Sequence, residues 1–280
     1  MSKYLRILLI FTYIVLTSCE DVIDVEVPTA EPRLVIEASL DWEKGTTGNE
    51  QTIKLSTSTP YFDTFTNTSV TGASVVVIND NDGTEFVFED QNNGDYTTTS
   101  FIPELNQSYT LEVQYNGESY MASETLMSVT DIVDVTQSVE GGFDDEALEV
   151  NYIFIDPEDE ENYYLVKFQK EGDLLPVLED SNDEFVNGNS IEYFFEYLDE
   201  DGEEGYEFVP GDTVYFELYG TSKQYNNYIQ ILIEQAEGGN LFSTTPAPLR
   251  GNCINLTNSD NYAFGYFRLS QFVKETYTFQ

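Results

Sequence analysis

Histidine is absent from this chain, and cysteine, tryptophan and basic residues are scarce. Without histidine the chain cannot carry out Ser-His-Asp or Cys-His catalysis, and it cannot hold a zinc or iron ion through imidazole ligands. Its two cysteines cannot build a four-thiolate cluster or a disulfide framework. The 11 Lys and Arg residues face 52 Asp and Glu residues, which gives a formal charge of −41. So negative a chain repels phosphate backbones, and we expect no nucleic-acid partner.

The remaining composition predicts a folded protein. Hydrophobic residues make up 40% of the 280 positions and aromatic residues 14%. An acidic disordered chain has few aromatic or β-branched residues, because it lacks the apolar surface that repays the entropy of folding. We therefore expect an extensive core and either one large all-β domain or two modest domains.

The first nineteen residues predict a secretion signal. Residues 1–6 include two basic residues and no acid, and residues 7–16 are an apolar run too short to cross a bilayer of about 30 Å. The run ends in Leu16-Thr17-Ser18-Cys19, which resembles the bacterial lipobox. This resemblance implies a signal peptide over 1–18, a diacylated Cys19 and a tether over 19–31; the alternative is an ordinary signal peptide with a chance cysteine. The other cysteine, Cys253, is most simply a small buried residue.

Residues 32–128 alternate between apolar and polar positions with a period of two, which predicts strands. Leu34, Ile36 and Ala38 mark one face of the first predicted strand. Asp82-Gly83 and Asn116-Gly117 each stand between two such runs and predict tight hairpins. About seven short strands fit an immunoglobulin-like or prealbumin-like β-sandwich.

Residues 129–280 predict a second β-rich domain with one amphipathic helix. Strand-like runs lie at 148–155, 163–169, 191–197 and 213–219. Apolar residues then recur at helical spacing over 222–237, with Ser222 as the N-cap. We expect the stripe, which includes Leu232, to pack on the sheet of this domain.

The acidic residues offer candidate sites for calcium and for hydrolysis. The loop with Asp156, Asp159 and Glu161 is the best of the acidic clusters for calcium, although none of the clusters fits the EF-hand register and a solvated loop is the alternative interpretation. A carboxylate pair could hydrolyse glycosides, but among 52 acids chance pairs are inevitable and no spacing singles one out. We therefore expect no enzymatic activity and no cofactor.

The C-terminal region carries a motif with Gly251 and Asn252, followed by Gly265, Tyr266 and Phe267. Together with the lipobox and the strand that begins at Pro32, this motif resembles a family of Bacteroidota outer-membrane lipoproteins of unknown function. No catalytic role attaches to the motif, and we expect it to be structural. Members of that family are typically encoded beside TonB-dependent receptors.

The resemblance implies a lipid-anchored accessory protein of the outer membrane that faces the cell surface, or alternatively the periplasm. Its partner would be a TonB-dependent receptor, for which it binds or covers cargo. The acidic surface favours cationic or metal-bearing cargo. The alternatives are an adhesion or envelope-structural lipoprotein without cargo and, third, a secreted hydrolase that uses a carboxylate pair.

Overall fold

The computed structural model describes residues 30–60, 63, 65–142, 147–158, 160–197, 207–236 and 249–280. Within these ranges it contains fifteen strands and one helix, so the predicted mostly-β fold is confirmed. Pro32–Thr59 and Thr66–Gln280 belong to one compact unit. Across the described ranges, no helix is both long and apolar enough to span a bilayer.

The first seven strands form a sandwich. They are β1 Leu34–Glu43, β2 Gln51–Thr57, β3 Ser74–Asn79, β4 Glu85–Asp90, β5 Asp95–Thr98, β6 Ser108–Tyr115 and β7 Glu118–Thr125. β4 turns the corner between the layers, because its last residues pair with β5 and its first residues pair with β3. Leu34, Ile36 and Ala38 are buried in the core shared by both layers, as their alternation predicts.

Both predicted hairpins are present in this sandwich. β3 and β4 pair antiparallel on either side of the turn that contains Asp82 and Gly83. β6 and β7 pair through a two-residue turn in which Asn116 has φ 49° and Gly117 has φ 80°. Positive φ at both central residues matches the right-handed twist of the flanking strands.

The second part of the chain contributes eight further strands among the described residues. They are β8 Ile132–Ser138, β9 Glu149–Ile155, β10 Tyr163–Lys170, β11 Val177–Asn182, β12 Ser190–Glu196, β13 Thr213–Thr221, β14 Ile254–Asn255 and β15 Phe264–Thr278. The four runs predicted as strands correspond to β9, β10, β12 and β13, whereas β8, β11, β14 and β15 are additional. β12, β9 and β8 form a three-stranded sheet.

Aromatic rings fill the core between this small sheet and the large one. Tyr152 of β9 stacks on Phe216 of β13, with ring centroids 3.9 Å apart. Phe195 of β12 stacks on Phe168 of β10 at 4.6 Å. Aromatic pairs of this kind contribute about 0.5–1.5 kcal/mol each beyond the area they bury, so they add to the stability of this layer pair.

β15 connects the two parts of the fold. From Phe264 to Phe272 it runs parallel to β1, and from Phe272 to Thr278 it runs antiparallel to β13. The large sheet is therefore continuous in the order β11-β10-β13-β15-β1-β2-β5-β4-β3-β6-β7-β14. The boundary predicted at 128/129 falls between β7 and β8, while β15 adds a C-terminal strand beside the N-terminal one.

The predicted helix is confirmed as α1, Lys223–Ala236. The Ser222 hydroxyl accepts a hydrogen bond from the Tyr225 amide at 3.1 Å, which is the expected N-cap. Tyr225 and Ile229 are buried against the large sheet.

The expectation for Leu232 is wrong, because its side chain is 39% exposed. Asn226 donates hydrogen bonds to the carbonyl oxygens of Tyr164 at 3.3 Å and Ser181 at 3.1 Å. These bonds turn the helix so that its Asn226 side faces the sheet and Leu232 lies at the margin of the contact.

This geometry predicts unequal effects of two truncations on α1. Ile229 is 3% exposed, so Ile229→Ala removes buried methyl groups and leaves a cavity; we expect the free energy of unfolding to fall by about 2–4 kcal/mol. Leu232→Ala, the matched control, should lower it by less than about 1 kcal/mol. Urea denaturation of both variants measures the difference. Equal losses would contradict the observed orientation of the helix.

Candidate functional site

The predicted calcium ligands have different surroundings. Asp159 lies outside the described residues, as does the predicted lipidation site, Cys19. Glu161 is exposed and forms an ion pair with Lys223 at 3.5 Å. Asp156 is buried and accepts hydrogen bonds from the Tyr164 hydroxyl at 2.6 Å and the Gly188 amide at 3.0 Å. Asp156 thus joins the end of β9 to the segment before β12, whereas Glu161 faces solvent.

Among the described residues, no group of three or more Asp, Glu, Cys or His side chains is arranged to hold a metal ion. A cation site in this part of the chain would have to combine carboxylates with amide or backbone oxygens, which are ligands that calcium accepts.

The two glycines of the C-terminal motif allow three backbone segments to approach closely. A Cβ atom at Gly251 would overlap the carbonyl oxygen of Gly265, and a Cβ atom at Gly265 would overlap that of Ile36. Gly265 also has φ 87°, which L side chains rarely adopt. The segment around Gly251 can therefore lie directly on β15 where β15 meets β1.

Asn252 holds this segment in place with its side chain. Its Nδ2 donates to the Phe267 carbonyl oxygen at 2.8 Å, and the Phe267 amide donates to its Oδ1 at 2.9 Å. The side-chain amide therefore completes both backbone hydrogen bonds of Phe267, in the manner of a neighbouring strand. Cys253 is buried as predicted, and burial raises the pKa of its thiol to about 12, so the thiol is unreactive at neutral pH.

Tyr266 links β15 to a buried carboxylate on β7. Its hydroxyl donates to Glu124 Oε2 at 3.2 Å, and the hydroxyl of Ser222, the α1 cap, donates to the same oxygen at 3.0 Å. Burial raises the pKa of Glu124, because a carboxylate loses hydration there. One side chain thereby ties together β7, α1 and β15, and each of the five motif residues has a structural contact.

A cationic and aromatic surface lies beside this motif. The guanidinium carbons of Arg33 and Arg250 are each 3.8 Å from the ring centroid of Tyr262. Arg250 and Tyr262, together with Ile254, line part of a cavity of about 260 Å³. Ile254 is 64% exposed and Leu256 is 60% exposed, so apolar side chains accompany the cations. We call Arg33, Arg250, Ile254, Leu256 and Tyr262 the arginine surface.

Sequence reasoning did not identify the arginine surface. Only 11 residues of the chain are Lys or Arg, so each of these positions could have been considered as a candidate interaction residue. Arg33 and Arg250 are more than two hundred residues apart in sequence. Pairing them requires the contact between β1 and β15, which no local pattern predicts.

A second concave site has the opposite character. A groove of about 370 Å³ runs along β4 and β5, and Glu85, Glu89 and residues 97–100 line it with carboxylate and hydroxyl groups. Oxygen atoms of this kind can bind cations or donate and accept hydrogen bonds with a polar ligand. A lining of this kind attracts cations more than anions.

A charge network lies between β15 and α1. Arg268 Nη2 contacts the Asp41 carboxylate at 2.8 Å, and the Arg268 guanidinium carbon lies 4.9 Å and 5.0 Å from the ring centroids of Tyr219 and Tyr225. Lys167 Nζ donates to the Tyr219 hydroxyl at 2.9 Å. Burial, together with the positive charge of Arg268, holds the pKa of Lys167 below its usual value.

The contacts of Asn252 predict that its donor is essential. Asn252→Asp keeps the side-chain shape but points a carboxylate oxygen at the Phe267 carbonyl, so we expect the free energy of unfolding to fall by about 2–3 kcal/mol. Asn67→Asp is the matched control, because Asn67 is exposed and its side-chain oxygen accepts a hydrogen bond from the Ser69 amide at 3.0 Å, which a carboxylate oxygen also accepts. Its change should stay below about 0.5 kcal/mol in the same urea titration. An equally mild effect of Asn252→Asp would show that the Phe267 bond is dispensable.

Solved structures similar to this chain include a two-domain fibronectin type III segment of chicken tenascin. Its identity is 10% and its TM-score 0.22, covering 68% of this chain and 91% of that chain. Domains FN1–FN3 of chicken CNTN1 match with 11% identity and a TM-score of 0.27, over 69% and 62% of the two chains. A DUF4785 family protein of Legionella pneumophila matches with 12% identity and a TM-score of 0.26, over 67% and 52%.

No curated protein matches this chain in sequence. A family model does match, and it spans residues 20–276, from the residue after Cys19 to a point two residues before the end of β15. It therefore covers the sandwich, α1, the glycine motif and the arginine surface. The chain belongs to the family described as a domain of unknown function, DUF4249.

Proposed function

We propose that this chain is an outer-membrane lipoprotein, anchored through Cys19 at the cell surface, that binds or covers cargo for a TonB-dependent receptor. The observation that carries the proposal is the short apolar run over 7–16, which ends directly in Leu16-Thr17-Ser18-Cys19. Each buried methylene of an acyl chain contributes about 0.8 kcal/mol, so several chains on one cysteine anchor a protein stably.

The arginine surface supports a protein partner. Arginine and tyrosine are enriched at the centres of protein interfaces, where cations and large rings exclude water together. Here two arginines and a tyrosine lie beside exposed Ile254 and Leu256 on a chain whose overall charge is −41. We propose this surface as the contact with the receptor.

The groove lined by Glu85 and Glu89 supports the proposed kind of cargo. Its carboxylate and hydroxyl lining attracts cations, and the net charge of the chain adds a long-range field of the same sign. Cargo bound at β4 and β5 would not occupy the arginine surface, which is built from other segments of the chain. Receptor contact and cargo binding can therefore be altered by separate substitutions.

The anchor is tested by substitution of its cysteine. Cys19→Ser removes the acylated sulfur, so we expect the chain to move from the membrane fraction to the soluble fraction. Cys253→Ser is the matched control: its thiol is buried in the core, and the variant should remain with the membrane. Fractionation followed by immunoblotting measures both. Retention of Cys19→Ser in membranes that lack the receptor would contradict the proposal.

The receptor contact is tested by charge reversal. A chain tagged at its C-terminus should co-purify an outer-membrane barrel from membranes, and Arg250→Glu should reduce the recovered barrel about tenfold or more, as loss of an interface arginine does. Lys54→Glu on β2 changes the net charge equally at an exposed side chain and should leave recovery unchanged.

Two results would argue against this contact. Equal recovery with Arg250→Glu and Lys54→Glu would place the contact elsewhere on the chain. Capture of no barrel by the unmodified chain would favour the alternative function, an adhesion or envelope-structural lipoprotein without cargo.

A further inference from the structure

Two buried oxygen atoms, at the start of β10 and the end of β11, have no hydrogen-bond partner among the described residues. They are Asn162 Oδ1 and Asp183 Oδ2. Asn162 is 7% exposed and Asp183 is 3% exposed, so bulk water does not hydrate them. An unpaired buried amide or carboxylate oxygen lowers the stability of the fold by about 1–3 kcal/mol, and by more when it is charged. Such atoms are rare in folded proteins, so two of them on neighbouring strands require an explanation.

The strand register brings these two side chains to one face of the sheet. Tyr163 of β10 lies opposite Asn182 of β11, and one step further the Asp183 amide donates to the Asn162 carbonyl oxygen at 3.2 Å. Opposite residues of an antiparallel pair point to the same face, as do residues two apart along a strand. Asn162 and Asp183 therefore share the face of Tyr164, whose ring packs in the aromatic core.

Asp156 approaches this position from β9. Its Oδ1 accepts the Tyr164 hydroxyl at 2.6 Å. The Tyr164 hydroxyl therefore connects Asp156 to the face of the sheet that Asn162 and Asp183 share. Asp156 also fixes the segment after Asp183, since its amide donates to the Asn189 carbonyl oxygen at 3.0 Å.

We propose that Asp156, Asn162 and Asp183 form a binding site for a calcium ion. Calcium takes six to eight oxygen ligands from carboxylates, amide and backbone carbonyl groups and water, in flexible geometry. The ion would give both unpartnered oxygens a ligand role and would neutralise two carboxylates that are otherwise buried together. Magnesium fits less well, because it requires near-ideal octahedral geometry and loses its water reluctantly.

The site differs from the sequence prediction in its members. Asp156 is a ligand in the predicted set and in the proposed set. The proposed set contains Asn162 in place of the exposed Glu161, which precedes it in the chain. It also contains Asp183, which lies beside Asn162 because β11 pairs with β10. The site would close the open ends of β9, β10 and β11 around one ion. This inference does not depend on the proposed function, because none of its residues belongs to the lipobox or to the arginine surface.

The first test compares calcium with magnesium on the full chain, purified in detergent and stripped with a chelator. We expect about 1 mM calcium chloride to raise the melting temperature more than magnesium chloride at the same concentration, since only an ion that binds the folded state stabilises it through a site. Titration calorimetry with calcium should give one site. Equal effects of the two salts would show that they act only by screening the negative charge, and would overturn the proposal.

Variants then locate the site. Asp183→Asn should weaken calcium binding about tenfold or more, because the site loses one of its two charges. The matched control is Glu184→Gln, which removes the neighbouring, exposed carboxylate and should leave calcium affinity unchanged. Calcium binding by Asp183→Asn at wild-type affinity would overturn the proposal.

A third variant keeps the test decisive if Asp183→Asn does not fold. Asn162→Asp adds a third carboxylate to the site, so the melting temperature without calcium should fall and the rise on adding calcium should exceed that of the wild type. A lower melting temperature with no larger response to calcium would contradict a role for Asn162 as a ligand.

Discussion

The fold depends on the continuity of β15 through two different strand pairings. Its first residues complete the N-terminal sandwich beside β1, and its last residues complete the aromatic layer pair beside β13. Phe267 and Leu269 enter the first core, Val273 and Tyr277 pack against the second, and Tyr266 and Phe272 pack under α1. One strand thus contributes to all three hydrophobic clusters, and the backbone of Gly251 and the side chain of Asn252 fix its beginning.

Arg268 occupies the middle of this strand, where a charge is costly. Its guanidinium group is nearly removed from water, but it retains Asp41 as a counter-ion and the rings of Tyr219 and Tyr225 as neighbours. An ion pair taken out of water gains little net stability, whereas loss of one partner leaves an uncompensated buried charge. Cation–π contacts offset part of the desolvation cost. The network therefore favours one register of β15 against β1 over shifted alternatives.

The parts of the fold that follow from local chemistry could be predicted from the sequence. The alternation of Leu34, Ile36 and Ala38, the Asn116-Gly117 turn and the Ser222 cap each depend on neighbours in the chain. β15 could not be predicted, because both of its faces are covered and its buried run includes Arg268, Ser270 and Gln271, which read as polar. The face of α1 was misjudged for a related reason: Asn226, a polar residue, makes the contact that orients the helix.

The candidate sites show the same division. Asp156 was recognisable as part of an acidic loop, but Asp183 joins it only through the pairing of β10 with β11. Arg33 and Arg250 meet at Tyr262 only because β15 returns to β1. Such pairings depend on contacts between distant segments, and one sequence carries no local signal for them.

β15 makes Pro32–Thr59 and Thr66–Gln280 a single cooperative unit, and differential scanning calorimetry of the full chain tests this most directly. A strand shared by three clusters cannot leave one without disrupting the others. We therefore expect one unfolding transition, whose calorimetric enthalpy equals its van't Hoff enthalpy. Two separated transitions, with one part unfolding while the other remains folded, would contradict it.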